Sequence, residues 1–114
     1  MNININKVKI VVTVPTDYTM QVRDAVCKKG AGTLTNSNYT YCTSTVKSTG
    51  TFMPNENANP FIGGPNRLEI VPEDRIEFIC EISKAKEVVS ELRKVHPYEE
   101  PAIDIIPLID EKDL

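Results

Sequence analysis

Residues 75–106, RIEFICEISKAKEVVSELRKVHPYEEPAIDII, hold a strand, a helix and a second strand in one continuous run. Within 75–82, Ile76, Phe78, Cys80 and Ile82 alternate with Arg75, Glu77, Ile79 and Glu81, the period of a strand with one covered face. Ser83 offers a side-chain oxygen as helix N-cap. Ala85, Val88, Val89, Leu92 and Val95 then recur at helical spacing and supply a buried stripe. Pro97 disfavours helical geometry at His96, so the helix stops there. After the HPYEEP turn, residues 102–106 (AIDII) read as a last strand with Ile103 and Ile105 on one face, closed by Pro107. The acidic tail, 109–114, is expected to fray.

The N-terminal part repeats the strand–helix pattern. In 8–14 (VKIVVTV), Val8, Ile10, Val12 and Val14 share one face, and Val11 makes the second face partly apolar, which predicts an inner strand. Pro15 ends it, and Thr16 or Asp17 is the expected N-cap of a helix carrying Tyr18, Val22, Ala25 and Val26 on one side. Lys28 and Lys29 suit the carbonyl end, and Gly30 is the expected left-handed cap. Periodicity fades between Ala31 and Pro72. Residues 39–46 (YTYCTSTV) suit a strand, and the Gly-, Pro- and Asn-rich run 48–66 reads as loop, giving a long connection over about 47–74. Such a connection is unusual unless it is functional, pairs with a neighbouring chain or contains short strands. The order β-α-β-β-α-β predicts one α+β domain over 1–114. It is a ferredoxin-like βαββαβ sandwich with a four-stranded antiparallel sheet and two helices on one face. The other face, with Val11, Ile79 and Ile106, is too apolar to stay wet, so an oligomer partner or the long loop is expected to cover it.

Composition narrows the function. The 114 residues carry 16 acidic and 13 basic side chains, intermixed, so there is no basic footprint for nucleic acid. No stretch approaches the roughly 20 apolar residues of a membrane span. The alternating N-terminus, MNININKVKI, is unlike a signal peptide, and the expected address is cytoplasmic. Three cysteines without a CxxC pair argue against a disulfide scaffold or a zinc ribbon. A lone histidine excludes a multi-histidine metal centre built from one chain.

Residues 95–108, VHPYEEPAIDIIPL, resemble the P-II/CutA-like domain inserted in YqfO-type (Nif-three-like) dinuclear-metal proteins, a domain that also occurs free-standing. The resemblance extends through VVTVP at 11–15, Gly30-Ala31-Gly32, Asn38-Tyr39 with Cys42, Gly50-Thr51-Phe52 with Pro54, Asn59 to Gly63, and Arg75-Ile76-Glu77. The chain departs from the family pattern at Thr33–Ser37, which is longer and lacks a glycine, and at Ser48 and Asn57, where glycine is usual. The resemblance implies the P-II/CutA type of sandwich and a homotrimer. The family's dinuclear site lies in flanking domains whose ligands have no counterpart here, so its hydrolase-like activity does not carry over.

HPYEEP is the one cluster with the look of chemistry. His96, Glu99 and Glu100 offer an imidazole and two carboxylates, an acceptable partial site for Zn²⁺, Ni²⁺ or Cu²⁺, with Cys42 joining if the second strand runs near the turn. The structural reading ranks ahead: His96 capping the helix, Tyr98 packing, the glutamates accepting hydrogen bonds from a neighbouring subunit. Phe52, Pro54, Pro60, Phe61 and Ile62 form an apolar segment in a polar stretch, read as packing across a subunit interface in preference to folding back on its own sheet. Cys80 reads as inert core, and Cys27 lies at a helix end that gives a thiolate no help. Gly30-Ala31-Gly32 follows a helix, the wrong end for a phosphate cradle, and Lys47 is the sole basic residue between Ala31 and Arg67.

The sequence thus points to a non-enzymatic oligomeric binding or regulatory module. It would hold a divalent metal or small ligand at an intersubunit cleft with His96, Glu99, Glu100 and Cys42. Phe52, Pro60, Phe61, Ile62 and Tyr98 are the candidate interface or loop residues. The alternative is an interaction domain that assembles with a partner protein and binds no ligand itself. No nucleophile–base pairing for an enzyme is visible.

Overall fold

The computed structural model describes residues 3–114. Its elements are β1 (Lys7–Pro15), a 3₁₀ turn (Thr16–Tyr18), α1 (Thr19–Cys27), β2 (Thr43–Phe52), β3 (Glu69–Glu81), α2 (Ile82–Val95), β4 (Ile103–Leu108) and a last 3₁₀ turn (Glu111–Asp113). The four strands lie in the order β2-β3-β1-β4, with every neighbouring pair antiparallel. This is the ferredoxin-like α+β sandwich that the alternation and helical spacing predict.

One face of the sheet carries the core. Register sets Val8 opposite Cys80, Ile10 opposite Phe78 and Val12 opposite Ile76. These residues pack with Val22 and Val26 of α1 and Val88 and Leu92 of α2. Ile10, Val22, Val26, Ile76, Val88 and Leu92 have no exposed surface. Each such side chain contributes on the order of 1.5–3 kcal/mol. On the opposite face Val11 is buried too, flanked by Glu77, which Lys9 and Arg75 approach at 3.8 and 3.3 Å. Long charged side chains shield apolar surface with their stems. Val46 and Ile106 stay exposed there, so the long loop leaves that part of the face uncovered.

Several boundaries differ from expectation. Pro15, not Thr16 or Asp17, occupies the position before the first helical turn, and no side chain caps it. Thr19 instead donates its hydroxyl to the buried carboxylate of Asp74 at 2.7 Å, tying the start of α1 to β3. α2 begins at Ile82, directly after β3, so Ser83 lies inside its first turn and caps nothing. β4 runs through Pro107 to Leu108, because an edge strand leaves one side of its ladder unpaired and tolerates proline.

The largest correction concerns the middle of the chain. Residues 39–42 are not strand: Tyr41 has φ +57°, and the Cys42 amide donates to Gly32 O at 3.0 Å. The strand spans Thr43–Phe52, and β3 starts at Glu69, so both ends of the expected loop over 47–74 are the paired strands of a hairpin and only its middle is loop. Its turn, 53–68, is fastened by Asn66 N–H donating to Pro54 O at 2.7 Å and by Asn57 N–H donating to Asn55 Oδ1 at 2.9 Å. The hairpin outruns its neighbour: β1 pairing stops at Pro15–Glu73, whereas β2 and β3 pair as far as Phe52–Glu69. The arm so formed lengthens the chain to 48 × 29 × 23 Å.

Candidate functional site

The base of the arm is where the HPYEEP turn docks. α2 closes with His96 N–H donating to Leu92 O, after which His96 turns extended (φ −72°, ψ 132°), the conformation that a following proline favours. β4 covers β1 only as far as Val12–Ile103. The next residue of β1, Thr13, offers its carbonyl to His96 Nε2 at 2.8 Å. The Tyr98 amide donates to His96 Nδ1 at 3.1 Å. A carbonyl only accepts and an amide only donates, so the tautomer is fixed: Nε2 carries the proton and Nδ1 is bare. His96 is buried, and burial pushes its pKa down, partly opposed by the Thr13 carbonyl and Glu73.

Tyr98, aimed by this clamp, packs at a tilt against the imidazole, ring centroids 5.0 Å apart, and against Phe52 at the end of β2, 5.9 Å apart. Its hydroxyl donates to Glu73 Oε2 at 2.6 Å. Burial, reinforced by Glu73, pushes the phenol pKa well above its ordinary value, so Tyr98 stays a donor. Glu73 is only 6% exposed and lies on the sheet face away from the helices. Space for its carboxylate comes from Gly50, where a Cβ would lie 2.5 Å from Glu73 Cδ.

Above this buried floor is a cleft of about 280 Å³. Phe52, Pro60, Phe61 and Ile62 wall it, and Glu99 and Glu100 join Glu73 in supplying carboxylates. Glu99 also receives the Asn59 amide at 3.2 Å, which pins the loop to the turn. Among the described residues, no lysine or arginine lines the cleft.

The structure therefore gathers Phe52, Pro60, Phe61, Ile62, Tyr98, Glu99 and Glu100 in one place, with His96 beneath them. Phe61 packs edge-on against Tyr18 of its own chain at 5.6 Å while 49% of its surface stays exposed. The loop thus folds back over its own domain, the reading that ranked second to an interface. Two expectations for the metal set meet physical obstacles. His96 has neither ring nitrogen free, and Cys42 precedes the opposite end of β2 from Phe52, about 30 Å away at strand rise. Among the described residues, no group of three or more His, Cys, Asp or Glu side chains is disposed to hold a metal ion. Sequence reasoning missed Thr13, Gly50 and Glu73. Extending the alternation of 75–82 backward would have put Val71 and Glu73 on the face of Arg75 and Glu77.

No model of a protein family matches the chain. Curated relatives do. It is 50% identical over 103 residues to a GTP cyclohydrolase 1 type 2 homologue of Halalkalibacterium halodurans, covering 90% of this chain and 27% of that protein. The same-named Bacillus subtilis protein is 41% identical over 100 residues, covering 88% of this chain and 26% of its own length. Among solved structures, a Bacillus cereus protein related to NIF3 superposes with a TM-score of 0.77 at 37% identity, over 95% of this chain and 27% of the other. CutA from Archaeoglobus fulgidus, described as a periplasmic divalent cation tolerance protein, matches with a TM-score of 0.64 at 18% identity, over 90% and 83% of the two chains, a likeness of fold. The chain spans about a quarter of the length of the curated relatives it matches. The chain therefore has a CutA-like ferredoxin fold and is similar in sequence to a segment, about a quarter of the whole, of the GTP cyclohydrolase 1 type 2 homologues and of a NIF3-related protein.

Proposed function

We propose that this domain is a non-enzymatic, oligomeric binding module that takes a small ligand in the cleft between the hairpin arm and the HPYEEP turn. The observation that carries this reading is the preassembled floor: His96 clamps Tyr98, Tyr98 holds Glu73, and Gly50 makes room for the carboxylate. Such a network fixes polar groups before a ligand arrives, which lowers the ordering cost of binding. Reactivity is not favoured by it. Both imidazole nitrogens are engaged, and the phenol is hard to ionise.

A homotrimer is the assembly that the P-II/CutA type suggests, with a cytoplasmic address, and the exposed side of Phe61 would face a neighbour. A divalent cation such as Zn²⁺, Cu²⁺ or Ni²⁺ would use Glu73, Glu99 and Glu100. It would also need a donor from a second copy, since one chain's described side chains do not form such a set. The second reading, an interaction domain for a separate protein partner, is favoured by the arm itself, where Met53, Leu68 and Ile70 are all more than half exposed.

Native mass spectrometry of protein purified without chelator tests the proposal. An oligomer retaining a small mass in fixed ratio to chains, lost in Glu73→Gln and Glu100→Gln, is expected. A monomer refutes the assembly, and an oligomer that retains and takes up nothing moves the weight to the interaction reading.

A further inference from the structure

We infer that the cleft selects a small organic cation, an ammonium group on a short apolar body, over an anion or a bare divalent metal. The inference rests on the reading of the cleft as a ligand site. Charge sets the first limit: Glu73, Glu99 and Glu100 line the cleft and, among the described residues, no cationic side chain does. An anionic ligand would meet like charge with nothing to neutralise it. Donor geometry sets the second. A hard divalent ion strips its water only for several converging ligands. Here His96 is fully engaged, and Glu99 already serves the Asn59 amide through both oxygens, at 3.2 and 3.3 Å.

An ammonium group asks for less. One or two carboxylates at hydrogen-bond distance and an aromatic face suffice. Both are present. Glu73 is 6% exposed, and its Oε2 takes the Tyr98 hydroxyl while its Oε1 receives no hydrogen bond among the described residues. Phe52 and Tyr98 bring two rings beside it, and Pro60 and Ile62 give an apolar wall for the body of the ligand. The volume of about 280 Å³ falls just below the range of ligand pockets, roughly 300–1,000 Å³, so the body is short.

The test is an ¹H–¹⁵N correlation titration of the full chain with n-butylammonium, n-butanol, butyrate and Zn²⁺ as probes. The expected result is saturable movement of the Asn59, Tyr98, Glu99 and Glu100 amides by n-butylammonium, at least tenfold tighter than n-butanol, with none from butyrate. Glu73→Gln is expected to weaken n-butylammonium at least tenfold. Glu100→Gln, at an exposed position that leaves the fold untouched, is expected to weaken it several-fold. Saturation of these amides by butyrate, n-butanol or Zn²⁺ in preference to n-butylammonium overturns the cationic specificity while the cleft stands as a binding site. If no probe moves them, both the specificity and the binding reading fall.

Discussion

Gly50→Ala is the sharpest probe of the buried floor. Gly50 sits mid-strand in β2, opposite Val71, with ordinary backbone geometry, so alanine there should by itself relieve chain entropy and stabilise by roughly 0.5–1 kcal/mol. The tertiary structure reverses the sign. The new Cβ would lie 2.5 Å from Glu73 Cδ, and the carboxylate must move. Moving it breaks the 2.6 Å bond from Tyr98, a charge-assisted interaction of about 1.5–3 kcal/mol, and adds packing strain of about 1 kcal/mol. The net is a loss of about 2 kcal/mol. With a urea slope of roughly 2 kcal/mol/M, the unfolding midpoint followed by circular dichroism should fall by about 1 M, at fixed protein concentration because assembly contributes to stability. A double-mutant cycle assigns the cause: with Glu73→Ala in place, Gly50→Ala should cost nothing or stabilise. An unchanged midpoint for Gly50→Ala alone, or an equal cost in both backgrounds, would refute this account of the floor.

His96→Ala strands the Thr13 carbonyl and the Tyr98 amide and should destabilise by about 2–4 kcal/mol in the same unfolding assay; any affinity for Zn²⁺ measured by calorimetry should survive it, because the imidazole is not free to ligate. The folded pKa of His96 is depressed below the unfolded value near 6.5, so between the two the unfolded chain binds more protons. Stability should therefore fall as pH drops below about 6.5, and His96→Gln should remove that part of the slope when midpoints at pH 7 and pH 5 are compared. Gly30 and Gly32 both have positive φ (+111° and +74°), so alanine strains the backbone at either, but at Gly32 its Cβ would also lie 2.7 Å from the Cys42 backbone nitrogen, whereas at Gly30 the nearest contact is the flexible Lys84 side chain at 3.4 Å. Thermal melts should accordingly show a loss for both, larger for Gly32→Ala because the backbone clash adds to the strain. Of the three free cysteines only Cys42 is exposed, and burial pushes Cys27 up and Cys80 up to about 11. A disulfide reagent at neutral pH should then modify one thiol quickly in native protein and all three in denaturant.

The fold was legible because its signals are local. Ile76, Phe78 and Cys80 alternate, Val88 and Leu92 recur at helical spacing, and Pro97 stops the helix at His96; each needs only neighbouring residues to read. The middle of the chain was less legible for a physical reason. Residues 48–52 (STGTF) look like loop by composition, yet they zip onto 69–73, and what decides this is the pairing partner and the space that Glu73 needs over Gly50. Tyr39 and Tyr41 suit a strand by type, but the Cys42 amide finds the Gly32 carbonyl instead.

The candidate site divides the same way. HPYEEP stood out as a run of unusual residues, and Glu99, Glu100, Tyr98, Phe52, Pro60, Phe61 and Ile62 do come together around one cleft. Their roles could not be read from the run. His96 meets Thr13 across 83 residues and Tyr98 meets Glu73 across 25, contacts that exist only once the register of β1, β3 and β4 is set. The sequence alone determined the order of elements, the core face and the sandwich, since short-range periodicity encodes them. Tertiary structure alone decided that His96 is a clamp, that Cys42 lies far away, and that Glu73 is a buried acid beneath the cleft. Those facts depend on which distant backbone groups the folded sheet leaves unpaired.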